Sequence, residues 1–279
     1  MAKVAIILLN YNSSSDCRKC LSFLIRQKAV KFEIIIVDNC SREEDRIEAE
    51  KLCQEIGCTY IQASENRGYN AGNNIGLRYV VQNGYEYAMI ANPDMEFPND
   101  NYLAEMVKKM DEDENIAVCA SDIITPDGYH QNPMRECSYF EELFWPVTIL
   151  RNRKNKIWFL KDFAKSGVCE KVSGCCFVIR LSFVKKINYF DENVFLYSEE
   201  PILAKQVEIN KYKMYYMSNI QAVHRHIKSE KGDPKKRMKM SMVSRWYYLA
   251  HYSGYSRLML FLLKLSFGIK RWYIMQFIK

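Results

Sequence analysis

One stretch limits the folds open to this chain. Tyr87-Ala88-Met89-Ile90-Ala91 is apolar without a break and gives way at once to Asn92-Pro93-Asp94. An unalternating apolar run of that length suits a strand covered on both faces, as in a sheet held between layers of helices. Oxygen-bearing side chains after such a strand stand at the carboxyl edge of the sheet, where open α/β sheets bind ligands. The pattern recurs. Residues 3–9 and 33–37 are also largely apolar and β-branched, and they run into Asn10-Tyr11-Asn12 and Asp38-Asn39-Cys40-Ser41.

The segments between these strands carry helical signals. Cys17, Cys20, Leu21, Leu24 and Ile25 recur at helical spacing over 17–27. Residues 42–57 form a polar amphipathic helix closed by Gly57, and 58–62 a third strand. A glycine- and asparagine-rich loop over 66–74 leads into a helix over 75–82, which Asn83-Gly84 ends before a fourth strand at 85–91. This alternation predicts an α/β fold with a mostly parallel central sheet and helices on both faces. Further on come a helix over 97–110, a strand over 116–120, a turn at 125–128 and a strand within 172–180. Residues 131–169 give no clear pattern.

Composition narrows the function classes. With 279 residues, 48% hydrophobic and 26% charged, the chain makes one large domain or a domain with an appendage. A net charge of +7 points to an anionic partner without choosing between nucleic acid, anionic lipid and a phosphorylated substrate. The ten cysteines show no disulfide framework. Cys17 and Cys20 form a C-x-x-C with no second pair at zinc-ribbon spacing, so buried thiols in a reducing compartment are expected. No G-x-G-x-x-G follows the first strand and no P-loop occurs, which removes the main support for dinucleotide and P-loop readings. No secretory signal is visible and no run reaches the ~20 apolar residues of a membrane span. The expectation is a cytoplasmic protein.

Four motifs taken together, Leu9-Asn10-Tyr11-Asn12, Val37-Asp38-Asn39-Cys40-Ser41, Asn66-Arg67-Gly68-Tyr69-Asn70-Ala71-Gly72-Asn73-Asn74 and Asn92-Pro93-Asp94, resemble the inverting family 2 glycosyltransferases of GT-A fold, in particular a rhamnosyltransferase-like group of bacterial polysaccharide enzymes. The resemblance covers residues 1 to about 228. It implies a nucleotide-binding half over 1–95, an acceptor-binding half over 96–228 and a helical appendage over 229–279. It further implies metal-dependent transfer from a nucleotide diphosphate sugar, dTDP-rhamnose or a UDP-hexose, to a glycan acceptor carried on a lipid, in cell-surface polysaccharide synthesis.

The resemblance assigns residues. Asp38 would bind the pyrimidine edge and ribose; the alternative is that it caps the helix that follows. Asn10, Asn12, Asn39, Asn70 and Asn73 stand with it as nucleotide-sugar contacts. Arg67 or nearby backbone N–H groups would hold phosphate, with Gly68 and Gly72 allowing close approach. Asn92 and Asp94 take the place of the family's D-x-D. Asp94 is the anionic oxygen ligand that Mg²⁺ or Mn²⁺ accepts, and Asn92 a neutral one that acts through water or on the ribose. Gly174 would let a sugar ring lie against backbone. Phe190-Asp191-Glu192-Asn193-Val194-Phe195-Leu196-Tyr197-Ser198-Glu199-Glu200 resembles the segment that ends in the general base, at Glu200. Pro201 and Ile202 depart from the pattern, which leaves Glu199 and Glu200 both open, and both could simply be acids at a helix start. His224 would complete the metal shell or touch phosphate, with His226 less well placed.

Two readings of other segments stay open. Phe144-Trp145-Pro146-Val147 and Ile157-Trp158-Phe159-Leu160 flank the basic run Arg151-Asn152-Arg153-Lys154-Asn155-Lys156, which fits an acceptor loop, a membrane-facing hairpin or a solvated loop. The aromatic and basic tail over 229–279 fits peripheral membrane contact, or a helical hairpin on the core or against a second copy. No nucleic-acid motif accompanies it. The rival functions are a sugar-nucleotide-forming nucleotidyltransferase, which would want a glycine- and lysine-rich loop after the first strand, and a non-catalytic sugar-nucleotide or glycan-binding module.

Overall fold

The computed structural model describes residues 3–155, 157–225 and 233–277. The first half runs β1 (Val4–Asn10), α1 (Ser14–Leu24), β2 (Phe32–Asp38), α2 (Glu43–Ile56), β3 (Thr59–Gln62), α3 (Tyr69–Gln82), β4 (Tyr87–Ala91). The second half adds β5 (Met95–Glu96), α4 (Tyr102–Glu112), β6 (Ile116–Ile124), α5 (Tyr139–Leu143), α6 (Trp145–Asn152), β7 (Gly167–Cys169), β8 (Cys176–Arg180), α7 (Leu181–Lys186), α8 (Glu199–Ile209) and β9 (Lys213–His224). Two helices close the chain, α9 (Pro234–His251) and α10 (Arg257–Phe277).

The sheet order is β3-β2-β1-β4-β8-β6-β9-β5, with β7 also on β9. From β3 to β4 every pairing is parallel, as the apolar runs predict. Beyond β4 the sheet is mixed: β8 runs antiparallel to both β4 and β6, while β6 and β9 are parallel. Alternate residues of β1 feed opposite cores. Val4, Ile6 and Leu8 join Leu21 and Leu24 of α1 on one face. Ala5, Ile7 and Leu9 join Leu77 and Val80 of α3 on the other. Each fully buried aliphatic side chain contributes about 1.5–3 kcal/mol, so a strand buried at every position anchors both layers.

Helix α3 begins at Tyr69, six residues earlier than the sequence pattern suggests. Its glycines are packing residues rather than loop residues. A Cβ on Gly72 would lie 2.5 Å from Leu9 Cδ1, and one on Gly76 2.8 Å from Ile7 Cγ2. Glycine lowers helix propensity by about 1 kcal/mol per residue, which close seating on β1 offsets. Helix α4 starts later than expected, at Tyr102, although Phe97 is still buried. The unreadable stretch contains α5, α6 and β7. All ten cysteines are free, and Cys17 and Cys20 are buried in the core.

The tail packs on the core, while one side of α10 stays exposed. Tyr248 and Leu249 of α9 and Leu263 and Phe267 of α10 share a cluster with Val194 and Ile202. Ser244 Oγ donates to the Leu196 carbonyl at 2.7 Å. The hydroxyls of Tyr247 and Tyr252 donate to Asp191 Oδ2 at 2.9 and 2.6 Å. Arg245, largely buried, pairs with Glu142 at 2.7 Å and with Glu136. Among the described residues no helix is long and apolar enough to cross a membrane. His226, Lys228 and Lys231 lie outside the described residues.

Gly68 makes the sharpest test of this arrangement. Its φ is +105°, and a Cβ there would fall 2.2 Å from the Phe195 carbonyl oxygen. Gly57 also has positive φ, at +78°, but open space around it. Gly68→Ala should therefore lose on the order of 3 kcal/mol in urea unfolding, from strain plus overlap with backbone. Gly57→Ala should lose only about 1 kcal/mol. Equal losses would refute the close approach of α3 to the Phe195 segment.

Candidate active site

Strand pairing builds the first part of the site. β5 is antiparallel to β9 with Met95 opposite His224, so the residue before β5 meets the end of β9. Asp94 Oδ2 lies 3.2 Å from His224 Nε2. On the other side of the ring, Nδ1 donates to Gln131 Oε1 at 2.9 Å, which fixes the imidazole with Nε2 toward the carboxylate. Burial opposes charge on His224, but Asp94 and then the Cys175 thiol outweigh it and lift its pKa to about 10. The Asp94 carboxylate is a hard oxygen ligand of the kind Mg²⁺ or Mn²⁺ accepts. Among the described residues no three His, Cys, Asp or Glu side chains converge, so water and phosphate oxygens would have to fill the remaining positions. The donor set fits a cation that arrives with its substrate. Asn92 is turned differently: its Oδ1 lies 3.1 Å from the Tyr69 hydroxyl, and its N–H donates to the Cys175 carbonyl.

The strand ends of β1 and β2 form a polar knot. Asn10 is fully buried, and its Nδ2 donates to Asp38 Oδ1 at 2.9 Å and Asp45 Oδ2 at 2.8 Å. Asp38, also fully buried, accepts from the Ser41 N–H at 3.0 Å, which secures the turn into α2. Asn39 donates to Asn66 Oδ1 at 3.1 Å. The surface of this knot is Tyr11, 52% exposed, and Asn12, whose Oδ1 accepts from the Arg42 N–H. Asp38 thus bonds to the turn ahead of α2, and the knot presents the Tyr11–Asn12 edge to solvent.

The asparagines of α3 bond within the fold. Asn70 Nδ2 donates to the Asp191 carbonyl at 2.7 Å, and the fully buried Asn73 donates to the Tyr69 carbonyl within its own helix. Asn74 grips the Phe190 backbone through both N–H and C=O, and its amide also reaches Glu192. Asn70 and Asn74 thus tie the helix to the acidic segment. Gly68 admits the Phe195 backbone, with the Tyr69 N–H bonded to the Phe195 carbonyl. Arg67 remains exposed and pairs with Glu192 at 3.1 Å and Glu65 at 3.8 Å.

The acidic segment is held under strain. Tyr197 and Ser198 both take positive φ, 73° and 65°, at about 1–2 kcal/mol each for residues with a Cβ. This bend turns Glu199 and Glu200 into the first turn of α8. The two acids differ. Glu199 Oε1 is buried without a hydrogen-bond partner, and burial, with the Glu200 charge adding to it, pushes its pKa well up. Glu200 Oε1 lies 3.4 Å from the Gly174 N–H. Both line a cavity of about 20 Å³ with Tyr69, Phe177 and Gln206, enough for one water. The Tyr69 hydroxyl, 2.7 Å from the Gly174 carbonyl and 3.1 Å from Asn92, connects the two halves of the site. Tyr69 and Gln131 are the site residues that sequence patterns pass over. Tyr69 sits inside a quoted motif, but Gln131 lies in the unreadable stretch and carries no signal.

Glu199 has a measurable consequence. Folded, it keeps a proton that the unfolded chain releases once pH exceeds the ordinary carboxylate range. The stability held at this position is full below that range and is lost as pH rises toward the elevated value. Glu199→Gln has no proton to lose. Its melting temperature relative to wild type should therefore climb from about pH 4 toward neutrality. A difference that stays flat over that span would mean Glu199 is ionised in the fold.

Comparison with known proteins places this geometry. Residues 5–187 match the profile of Glycosyl transferase family 2. The chain is 28% identical over 200 residues to the low-salt glycan biosynthesis hexosyltransferase Agl10 of Haloferax volcanii, covering 71% of this chain and 59% of that protein. It is 22% identical over 254 residues to the rhamnosyltransferase WbbL of Escherichia coli, covering 88% and 92%. Among solved structures, the mannosyltransferase PcManGT from Pyrobaculum calidifontis, in complex with GDP-Man and Mn²⁺, superposes with a TM-score of 0.63 at 15% identity, covering 98% of this chain and 70% of that one. Residues 1–349 of TarS from S. aureus superpose with a TM-score of 0.60 at 16% identity, covering 99% and 75%. The fold is that of the GT-A glycosyltransferases, and the chain belongs to glycosyl transferase family 2.

Proposed function

We propose that this chain transfers a sugar from a nucleoside diphosphate donor to a hydroxyl of a glycan acceptor, with inversion. The observation that carries the reading is the bridge through Tyr69. It joins Asn92, beside the Asp94–His224 pair, to Gly174, whose N–H faces Glu200. A leaving diphosphate and an attacking hydroxyl need groups of these two kinds on the two sides of one sugar.

Glu200 is the general base. It takes the proton of the acceptor hydroxyl while that oxygen bonds to the anomeric carbon and the bond to the diphosphate oxygen breaks. Glu199, holding its own proton, cannot compete for this role and instead keeps the neighbouring site poor in charge. Asp94, with His224 behind it, would hold Mg²⁺ or Mn²⁺, which when bound offsets the charge gathering on the leaving diphosphate. Asn92 is a supporting contact. Arg67 approaches phosphate, and the Tyr11–Asn12 edge over Asp38 receives the nucleobase.

A hexose or deoxyhexose donor, dTDP-rhamnose or a UDP-hexose, agrees with the names of the two sequence relatives. Solved neighbours hold GDP-Man or UDP-GlcNAc, again nucleoside diphosphate sugars. The acceptor is a glycan carried on a lipid, at the cytoplasmic face of a membrane. The nucleotidyltransferase reading finds no triphosphate loop after β1, where Asn10 and Ser13 are bonded to each other.

Glu200→Gln and Asp94→Asn should each lower transfer by about 10²–10⁴-fold with the melting temperature little changed. Asn92→Ala should weaken it without abolishing it. Wild-type transfer by Glu200→Gln would remove that residue as the base. A thermal-shift panel of UDP-, GDP- and dTDP-sugars with Mn²⁺ identifies the donor, since only a bound ligand stabilises the fold by mass action.

A further inference from the structure

Helix α10 has two apolar sides and only one is covered. Leu263, Ser266, Phe267 and Ile274 face the core at helical spacing. Leu258, Phe261, Leu262, Leu265, Ile269 and Trp272 recur at i, i+3, i+4, i+7, i+11 and i+14, and every one is exposed. At 3.6 residues per turn these six fall in one sector, opposite the buried one. Arg257, Lys264 and Arg271 recur every seven residues and so form a single row beside that sector. No acidic residue occurs anywhere in α10.

The exposed surface continues onto the α5–α6 pair. Ser266 Oγ donates to the Leu143 carbonyl at 2.7 Å, and the rings of Trp145 and Tyr273 lie 5.6 Å apart. Beside that contact Phe144, Val147 and Leu150 are exposed. Arg151, Arg153 and Lys154 follow, with no acid between Trp145 and Asn155. Exposed apolar area of this extent marks an interaction surface.

We propose that α10 and the adjoining α5–α6 pair form a docking face for an anionic lipid bilayer, lying on its surface. Charge selects this occupant. A second copy of the chain would cover the apolar sector but bring basic rows toward basic rows, whereas anionic headgroups neutralise them while the apolar sector sinks among the acyl chains. Trp145, Trp272 and Tyr273 are side chains suited to the headgroup level. The face is rigidly tied to chemistry, because Leu263 and Phe267, on the inner side of the same helix, pack in one cluster with Val194 and Ile202. Ile202 is in the same helical turn as Glu200. Docking would thus hold the acid-bearing segment at a fixed height over the membrane. The proposal does not depend on the donor or on which acid is the base.

The test is sedimentation of the full chain with vesicles of phosphatidylcholine alone and of equimolar phosphatidylcholine and phosphatidylglycerol. The wild type should pellet with the anionic vesicles and far less with the neutral ones. Arg257→Gln/Lys264→Gln/Arg271→Gln should bind the anionic vesicles on the order of 100-fold more weakly. Phe261→Ser/Leu265→Ser/Trp272→Ser should stay in the supernatant. All six positions are exposed, so circular dichroism and melting temperature should match the wild type. Transfer to a short water-soluble acceptor without vesicles should also be unchanged, which separates failure of docking from failure of the catalytic reading. A wild type that remains in the supernatant with anionic vesicles overturns the proposal, as does undiminished binding by the basic triple variant. A dimer seen by light scattering, dissolved by the apolar triple variant and without vesicle binding, overturns it in favour of a second copy.

Discussion

The close seating of α3 is the constraint on which the rest of the site depends. Gly68, Gly72 and Gly76 are spaced four apart, so they share one face of the helix end. At each of them a side chain would collide, with the Phe195 carbonyl, Leu9 and Ile7 respectively. With that face bare, the helix lies against β1 and its start lies under the Phe195 segment. Only from there can Asn70 and Asn74 reach the backbone of Phe190 and Asp191. Those bonds join the parallel half of the sheet to the acid-bearing segment. The C-terminal helix α9 grips the same segment from outside, through Ser244 on Leu196 and two tyrosine hydroxyls on Asp191. Clamped from both sides, the segment can hold two consecutive left-handed residues at Tyr197 and Ser198.

That clamp explains how adjacent acids come to differ. Residues next to each other in a helix point roughly 100° apart, so the first turn of α8 can aim one carboxyl inward and one outward. Glu199 is the inward one, with an unpartnered oxygen and an elevated pKa caused by burial. Glu200 lies along Gly174, its Oε1 3.4 Å from that residue's N–H. Burial, with the Glu200 charge adding to it, favours the neutral form of Glu199 and so limits the negative charge gathered at this turn. The sequence pattern left the two equivalent because their difference is set by rotation about a helix axis, which no local motif encodes.

Legibility followed the physics of each element. The parallel half was readable because β1, β2 and β4 are apolar on both faces, and such runs survive any uncertainty about their neighbours. Strand direction in the second half was not readable: β8 is as apolar as β4, and nothing in a buried strand states whether it runs with or against its partner. The Gly–Asn stretch before residue 75 was mistaken for a loop because glycine and asparagine are poor helix formers. Tertiary packing overrode propensity, with buried amides finding backbone partners across the domain. The stretch around Gln131 was illegible for a related reason. Its ties, such as Gln131 to His224 and Asn132 to the Ser173 N–H, depend on pairings that exist only once the sheet has formed. The motif residues at the carboxyl edge were legible as a group, but their division of labour was not. Asn10 and Asp38 bond mainly to each other and to nearby turns, while Asp94 and His224 meet only because β5 pairs with β9.

The overall basicity of the chain also changes meaning once it is located. Lys235, Lys236, Arg237, Lys239 and Arg245 on α9, and Arg257, Lys264, Lys270 and Arg271 on α10, are nine basic residues without a single acid on either helix. They exceed the net charge of +7 of the whole chain, so the remainder is slightly acidic. A nucleotide-sugar site therefore cannot be what the total charge reports. The excess belongs to the two terminal helices, and on α10 it is ordered into a row beside an uncovered apolar stripe. Arg245 turns inward and fastens α9 to Glu136 and Glu142. The tail thus uses one basic residue to join the core and offers the exposed row outward, which is the division expected of a segment that must hold the catalytic fold and a charged surface at once.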